Sequence, residues 1–282
     1  AGSYLRAYLG GGAMRSVKGG SGQIVFPAVD NDPLFLALTT GPKPTSAADP
    51  AASVGSLPNR FKAEVPEHFD PSECAKAIQK KWQDDIAQAV LDEAGRLGIN
   101  LPSAIWQSQI DNLWDCAWAI GEDDALLDIR KNLRTHLPPP EKGEKCTVCG
   151  ERQELSGKGM GTYDTRKEMR DWWGDVRKKL KAAKKATLFD LKEGERLCAV
   201  CLVKRSFPFP AIAAKADAIG WEVPVNYPST SYMAAVDWIV RVFEECKGNK
   251  MFQQKVRAFL DATEKADVWP SEAATRIKGI TD

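Results

Sequence analysis

The chain has little histidine, the side chain that most often transfers protons in enzymes. Only two histidines, His68 and His136, occur among its 282 residues. Neither has a Ser, Cys or Asp partner in a triad-like or metalloprotease-like motif, and no glycine-rich phosphate loop follows a strand. The sequence alone therefore shows no active site.

Excess charge and long apolar runs are missing as well. The 39 Lys and Arg residues nearly balance the 38 Asp and Glu residues, so the net charge of +1 identifies no partner. No apolar run approaches the roughly 20 residues that a membrane span needs, and no signal peptide is recognisable, so we expect no membrane partner. The seven cysteines do not form a disulfide framework, and we expect a reducing, cytoplasmic location.

Four of the cysteines form two Cys-x2-Cys pairs. Cys146 and Cys149 precede Gly150, and Cys198 and Cys201 follow an insert that ends near residue 196. Two such pairs can complete a tetrahedral four-cysteine shell around one zinc ion. Redox or chance pairing is the alternative, although neither pair lies in a strand-helix redox setting. Because a four-cysteine shell leaves no open position, the predicted zinc site is structural rather than catalytic.

The hydrophobic pattern predicts an α+β fold. Helices are predicted near residues 4–18, 70–97, 103–121, 165–183, 231–246 and 249–266, and strands within 23–29 and 56–65. Gly10–Gly12 either break the first helix or are held by packing. We expect the strand within 23–29 to be buried, and a capping box from Thr165 to Glu168 to begin the helix of the insert.

Three features can be interpreted in two ways. The tryptophans between residues 106 and 118 are typical of a core but also of a base-stacking platform. The acidic turn 121–124 is either the start of a helix or a metal ligand set. Residues 166–185 contain nine Lys and Arg against three Asp and Glu, which indicates either a solvated helix face or a surface that follows a phosphate backbone.

Seven strings occur in a fixed order along the chain: AGSYL at 1–5, IVFP at 24–27, SLPNRF at 56–61, the tryptophan-rich segment 106–118, CTVCG at 146–150, GERLCAVCLVKR at 194–205 and YPSTS at 227–231. Together they resemble the large, polymerase/cyclase-like subunit of type III CRISPR effector complexes, in its Cmr branch. The resemblance implies an internal fragment that covers part of the first palm domain and the zinc-binding domain.

The implied fold is a partial ferredoxin-like palm domain with packed helices, plus a mostly helical four-cysteine domain. Its expected boundaries are residues 1–137 for the palm and its helical extension, 138–215 for the zinc module with its basic helical insert, and 216–282 for a helical segment that packs on both.

The implied function is that of a scaffold that contacts crRNA, target RNA and other effector subunits. In the full-length parent, the resemblance implies a pair of palms that uses ATP with Mg²⁺ or Mn²⁺ to make cyclic oligoadenylates. Ser3, Asn59 and Arg60 would then face the nucleotide. This chain has no Gly-Gly-Asp-Asp motif and no His-Asp nuclease pair, so we expect no catalysis from it alone.

Two other functions stay open. One is a cyclase half-site that binds ATP without turnover. The other is a stand-alone zinc-ribbon module that binds nucleic acid through the basic face of the insert and has no link to nucleotide cyclisation.

Overall fold

The computed structural model describes residues 2–40, 54–122, 125–126, 140–159, 161–183, 191–209, 212 and 230–265. The side chains at 2–3, 40, 230–233 and 263–265 are outside this description. The chain divides into two compact units, Ala1–Val225 and Asn226–Asp282. The predicted sites lie in the first unit.

Helix α1 (Gly2–Gly19) continues through the three glycines because packing holds it there. A Cβ atom at Gly10 would lie 3.1 Å from the carbonyl oxygen of Pro58, and one at Gly11 would lie 2.7 Å from Leu57. Because glycine has no side chain, Leu57 and Pro58 can approach the backbone of α1 closely. Buried residues on both sides of the glycines, from Tyr4 to Val17, anchor the helix in the core.

The sheet has two strands, β1 (Gln23–Phe26) and β2 (Lys62–Glu64), which pair in antiparallel fashion. Gln23 pairs with Glu64 and Phe26 with Lys62, with an irregularity between them that resembles a β-bulge. The prediction of a buried strand was wrong. Ile24 is buried, but Val25 and Phe26 are each 56% exposed, because a two-stranded sheet covers one face only.

One helical stretch extends from Ser72 to Arg96, as the sequence predicted. A short helix, α2 (Pro33–Thr40), precedes this stretch in the chain. The stretch itself consists of α3 (Ser72–Lys80), a π-helical segment (Lys81–Ala87) and α4 (Gln88–Arg96). Its apolar residues recur at every fourth position, at 78, 82, 86, 90 and 94, a longer period than that of an α-helix. The wider π turn keeps this row facing the core, where Trp82, Ile86 and Val90 are fully buried. Pro71 is the N-cap residue, and the Asp70 carboxylate before it accepts the Ser72 N–H at 2.9 Å.

Helix α5 (Ser103–Asp111) is shorter than predicted. The prediction extended it to residue 121, but it ends where the Asn112 side chain donates to the Ser108 carbonyl at 2.8 Å. Trp106 is buried, whereas Trp118 lies beyond the helix and is 47% exposed. Of the acidic turn 121–124, Asp123 and Asp124 lie outside the described residues, as do His136 and most of the loop 41–55.

Helix α6 (Tyr163–Ala182) forms the insert between the cysteine pairs, and α7 (Ala199–Ser206) follows the second pair. The predicted capping box at Thr165 was wrong. The cap is Thr162, whose hydroxyl accepts the Thr165 N–H at 3.2 Å. The second unit contains α8 (Thr230–Cys246) and α9 (Lys250–Lys265), close to their predicted bounds.

The described part of the chain is thus mostly helical with one small sheet, which confirms the mixed class. A single hydrophobic core joins α1 to α7, where Phe207 contacts Tyr4 and Tyr8 with ring centroids 6.1 and 6.2 Å apart. Among the described residues, no helix combines the length and the apolar character that crossing a membrane requires.

Candidate metal centre

The structure brings the four paired cysteines together. The sulfur atoms of Cys146, Cys149, Cys198 and Cys201 all lie within 4.8 Å of one another. The sulfurs of Cys149 and Cys198 are 3.8 Å apart. A tetrahedral zinc ion with Zn–S bonds of about 2.3 Å requires sulfur atoms about 3.8 Å apart. The donor set and its spacing therefore fit a metal such as zinc.

The first pair lies at the tip of a short hairpin. The Cys146 N–H donates to the Arg152 carbonyl at 2.8 Å, and Lys145 forms a bridge with Gln153. The turn closes where the Gly150 N–H donates to the Cys146 carbonyl at 2.9 Å. Gly150 has a φ of +68°, a conformation that favours glycine, which explains why glycine follows the pair.

The second pair begins a helix. Cys198 is the N-cap of α7, and its sulfur accepts the Cys201 N–H at 3.4 Å. The segment before it pairs with the hairpin, because the N–H of Thr147 donates to Arg196 and that of Leu155 to Leu197, both at 2.9 Å. The two pairs are therefore fixed by one backbone network, and the helix N-terminus favours negative charge on the Cys198 and Cys201 sulfurs.

The thiols influence one another's ionisation. Hydrogen bonds from Cys198 and Cys201 lower the pKa of Cys146. The hydrogen bond with Cys146 raises the pKa of Cys198 far above its ordinary value and raises the pKa of Cys201 to about 12. At Cys198 and Cys201 these hydrogen bonds between sulfurs oppose the effect of the helix N-terminus. A divalent cation supplies the positive charge that allows all four to ionise.

Three basic residues near the cysteines pair with other groups. Lys145 donates to the Glu141 carbonyl at 3.0 Å, and Arg152 pairs with Glu151 at 3.3 Å. Arg205 makes a bidentate pair with Glu195, at 2.6 and 3.0 Å. Backbone N–H groups and the start of α7 would also stabilise the negative charge of a loaded site.

A buried glutamine that the sequence analysis missed connects both cysteine pairs to the core. The side-chain amide of Gln109 donates to the Gln153 carbonyl at 2.8 Å and to Glu141 at 2.9 Å. Its oxygen accepts the Ala199 N–H at 2.7 Å, one residue after Cys198. Gln109 lies on α5, about 40 residues before the first pair, so no local sequence pattern reveals this contact.

A second buried polar group anchors α6. The carboxylate of Glu154 is fully buried and accepts hydrogen bonds from the Ser156 N–H at 2.9 Å and from its hydroxyl at 2.5 Å. It also accepts a hydrogen bond from the indole N–H of Trp173 on α6. Arg177 adds a bond to the Glu195 carbonyl at 2.9 Å, and Lys179 adds one to the Gly98 carbonyl at 2.7 Å. Helix α6 is thus fixed to the hairpin, to the turn before Cys198 and to the loop after α4.

The predicted nucleotide-facing residues lie around α1. Asn59 is exposed and Arg60 is half-buried, and both follow Pro58, whose carbonyl lies against Gly10. Ser3 lies on α1, seven residues before Gly10 and thus about 10 Å away along the helix axis. The Ser3 side chain is outside the described residues, so its role as a nucleotide contact stays a prediction.

Comparison with known proteins identifies the N-terminal third. Residues 1–91 match the family model described as CRISPR-associated protein Cmr2, N-terminal. No curated protein and no solved structure matches the chain. The matched residues contain α1, the two-stranded sheet, α3 and the π-helical segment, which share one core with the cysteine hairpin and α7. This match confirms the resemblance seen in the sequence: residues 1–91 match the Cmr2 N-terminal family, which supports a Cmr2-like large subunit of type III CRISPR systems.

Proposed function

We propose that this chain is a zinc-stabilised scaffold segment of the type III CRISPR large subunit, in which Cys146, Cys149, Cys198 and Cys201 bind one structural zinc ion. The observation that supports it most is the shared core. Phe207, six residues after Cys201, packs against Tyr4 and Tyr8 inside the family-matched segment. The cysteine cluster thus fixes the start of α7, and Phe207 directly after this helix packs against the matched region.

When bound, zinc supplies four strong bonds that tie the hairpin to the start of α7. The chain's own residues prepare this junction. Gly150 closes the first turn, Thr147 and Leu155 pair the hairpin with the segment before Cys198, and Gln109 fixes both pairs to α5. Such a junction is suited to positioning neighbouring surfaces rather than to activating water.

The partners follow from the family. Membership of a Cmr2-like family implies other CRISPR subunits as partners. Contacts with crRNA and target RNA, and a ferredoxin-like palm built on β1 and β2, belong to the proposal. So does a contribution of Ser3, Asn59 and Arg60 to a palm pair in the full-length parent that uses ATP with Mg²⁺ or Mn²⁺ to make cyclic oligoadenylates.

The scaffold function can be tested by assembly. The chain is co-expressed with the remaining subunits and crRNA of its type III system, and complexes are purified through another subunit. We expect Cys146→Ser to lose both its zinc and its place in the complex, whereas Cys116→Ser, at a partly buried cysteine outside the cluster, keeps both. Normal assembly of a zinc-free Cys146→Ser chain would contradict the proposal.

A second candidate is a stand-alone zinc-ribbon module that binds nucleic acid. The observation in its favour is the exposed basic side of α6, which is fixed directly to the cysteine hairpin. RNA binding by the isolated chain, with no association with other subunits, would favour this candidate over the scaffold.

A further inference from the structure

Helix α6 presents one narrow line of basic side chains to solvent. Lys167, Arg170, Lys178 and Lys181 are all exposed. Tyr163 precedes them on the helix and Gly174 lies between Arg170 and Lys178, so that each of the six residues is three or four positions from the next. This spacing places all six on one face of the helix. At 1.5 Å per residue, the line from Tyr163 to Lys181 is about 27 Å long. We call these six residues the α6 stripe.

The charges of the stripe are available to a partner. Within the described part of the chain, none of its four basic side chains has a hydrogen-bond or ion-pair partner. Four acidic residues lie beside the stripe on α6, namely Asp164, Glu168, Asp171 and Asp175. Two of them form ion pairs, because Glu168 pairs with Lys158 at 3.1 Å and Asp175 with Lys179 at 2.7 Å. The neighbouring acids are therefore partly neutralised by lysines outside the stripe.

Within the described residues, Gly174 in the middle of the stripe has no packing reason to be glycine. A Cβ atom there would meet nothing within 4 Å. Glycine inside a helix costs about 1 kcal/mol relative to alanine. Because the chain itself does not use the space, the gap suits a ligand that comes close to the helix backbone.

Tyr163 adds an aromatic ring at one end of the line. It is the first residue of α6 and is 75% exposed. Exposed rings beside basic side chains are the elements with which proteins hold single-stranded nucleic acid, by stacking bases and neutralising phosphates. A polyacidic peptide without aromatic or apolar side chains would use the charges but not the ring.

We propose that the α6 stripe binds the phosphate backbone of single-stranded RNA, with Tyr163 stacking on a base and Gly174 allowing close approach. This inference rests on the proposed function, because it names the surface through which the scaffold meets RNA. The helix is held rigidly for this role by its bonds to Glu154, to the turn before Cys198 and to Gly98.

The test measures binding of a fluorescein-labelled oligouridylate of about twelve nucleotides to the zinc-loaded full chain, at several salt concentrations. The stripe variant changes Lys167, Arg170, Lys178 and Lys181 to Ala. The control changes four exposed lysines elsewhere to Ala, namely Lys80, Lys247, Lys250 and Lys255. Since each phosphate contact contributes about 0.7 to the salt slope for single strands, we expect the slope to fall by about 3 in the stripe variant only.

Two single substitutions distinguish the binding of RNA from the binding of an acidic protein. Tyr163→Ala should weaken oligouridylate binding about tenfold, with recovery in Tyr163→Phe, and should not affect a polyglutamate probe. Gly174→Ala should weaken RNA binding while raising the melting temperature. Equal binding by the stripe and control variants would overturn the proposal, as would polyglutamate that binds as tightly as RNA.

Zinc content and melting temperature are measured on the same samples. These two quantities test the scaffold, whereas the salt slope tests the stripe. A folded, zinc-loaded chain that does not bind oligouridylate would therefore contradict the stripe alone.

Discussion

At the scale of single residues, the cysteine cluster depends on side chains that lie far apart in sequence. The two Cys-x2-Cys pairs were visible in the sequence because each pair is local, and the glycine after the first pair indicated its turn. Gln109 and Glu154 were not visible, because their partners come from other elements and a lone buried Gln or Glu has no local signature. The four-cysteine cluster could thus be predicted from the sequence, whereas the groups that orient the cysteines required the structure.

Replacing Gln109 with Leu should destabilise the chain more than any exposed substitution on the same helix. The change leaves the buried Ala199 N–H and the Gln153 carbonyl without a partner. We expect the free energy of unfolding to fall by about 2 to 4 kcal/mol, measured by urea denaturation of the zinc-loaded chain. Gln107→Leu is the matched control, since Gln107 is exposed on α5 and pairs, among the residues that the structure describes, with Asp111 of the same helix. Equal effects of the two substitutions would show that Gln109 does not connect the elements.

Cys198→Ser should remove zinc from the chain and lower its melting temperature. A serine hydroxyl is a much poorer zinc ligand than a thiolate, and metal binding is coupled to folding at structural sites. Metal analysis should find about one zinc per chain in the wild type and much less in the variant. Cys246→Ser is the control for replacing a buried cysteine, because Cys246 is buried in the second unit and lies outside the cluster. A Cys198→Ser chain that keeps a full equivalent of zinc would contradict the ligand assignment.

The Glu195 and Arg205 pair should contribute stability that depends on pH. The hydrogen bond from Arg205 lowers the pKa of Glu195 below its ordinary value of 4.5. The folded state favours the ionised carboxylate of Glu195. The contribution of the pair to the free energy of unfolding is therefore complete above pH 4.5 and is lost as the pH falls through the lowered pKa of Glu195. Glu195→Gln should therefore cost about 1 kcal/mol at pH 7 and progressively less below pH 4.5. Glu193→Gln, on the same turn, is the control, and a cost that stays constant down to pH 3 would argue against the pair.

At the scale of elements, helix periodicity was predictable but helix ends were less so. The stretch Ser72–Arg96 and helix α6 appear nearly as predicted, because their apolar residues recur on one face over many turns. The prediction for α5 extended ten residues too far, since its tryptophans continue at helical spacing after Asn112 ends the helix. The cap of α6 lies three residues before the predicted one, because Thr162 and Thr165 are both chemically suitable.

The glycines of α1 provide a test of element packing. Alanine at Gly11 would collide with Leu57 and Leu38, so we expect Gly11→Ala to cost about 1 to 3 kcal/mol of unfolding free energy. At Gly12 a Cβ atom would meet nothing within 4 Å, so Gly12→Ala should gain up to about 1 kcal/mol from helix propensity. Thermal denaturation of the two variants compares them directly. Equal stabilisation by both would mean that the Leu57 segment does not pack on α1.

At the scale of the whole molecule, the family-matched segment and the cysteine hairpin share one core. The sequence predicted a boundary between them at residues 137–138, and this boundary stays a prediction. The contacts of Phe207 with Tyr4 and Tyr8, and of Gln109 with Ala199, connect the two regions across long sequence separations. Such contacts have no periodic signal, which is why the sequence could suggest the two parts but not their packing.

The central claim is that one zinc ion at the four cysteines stabilises this shared core. The most direct measurement is native mass spectrometry of the chain combined with thermal unfolding, before and after treatment with a strong chelator. We predict one zinc per 31.0 kDa chain. Its removal should lower the melting temperature and expose α1 to hydrogen exchange along with α7. A zinc-free chain with the same melting temperature and the same protection of α1 would contradict the claim.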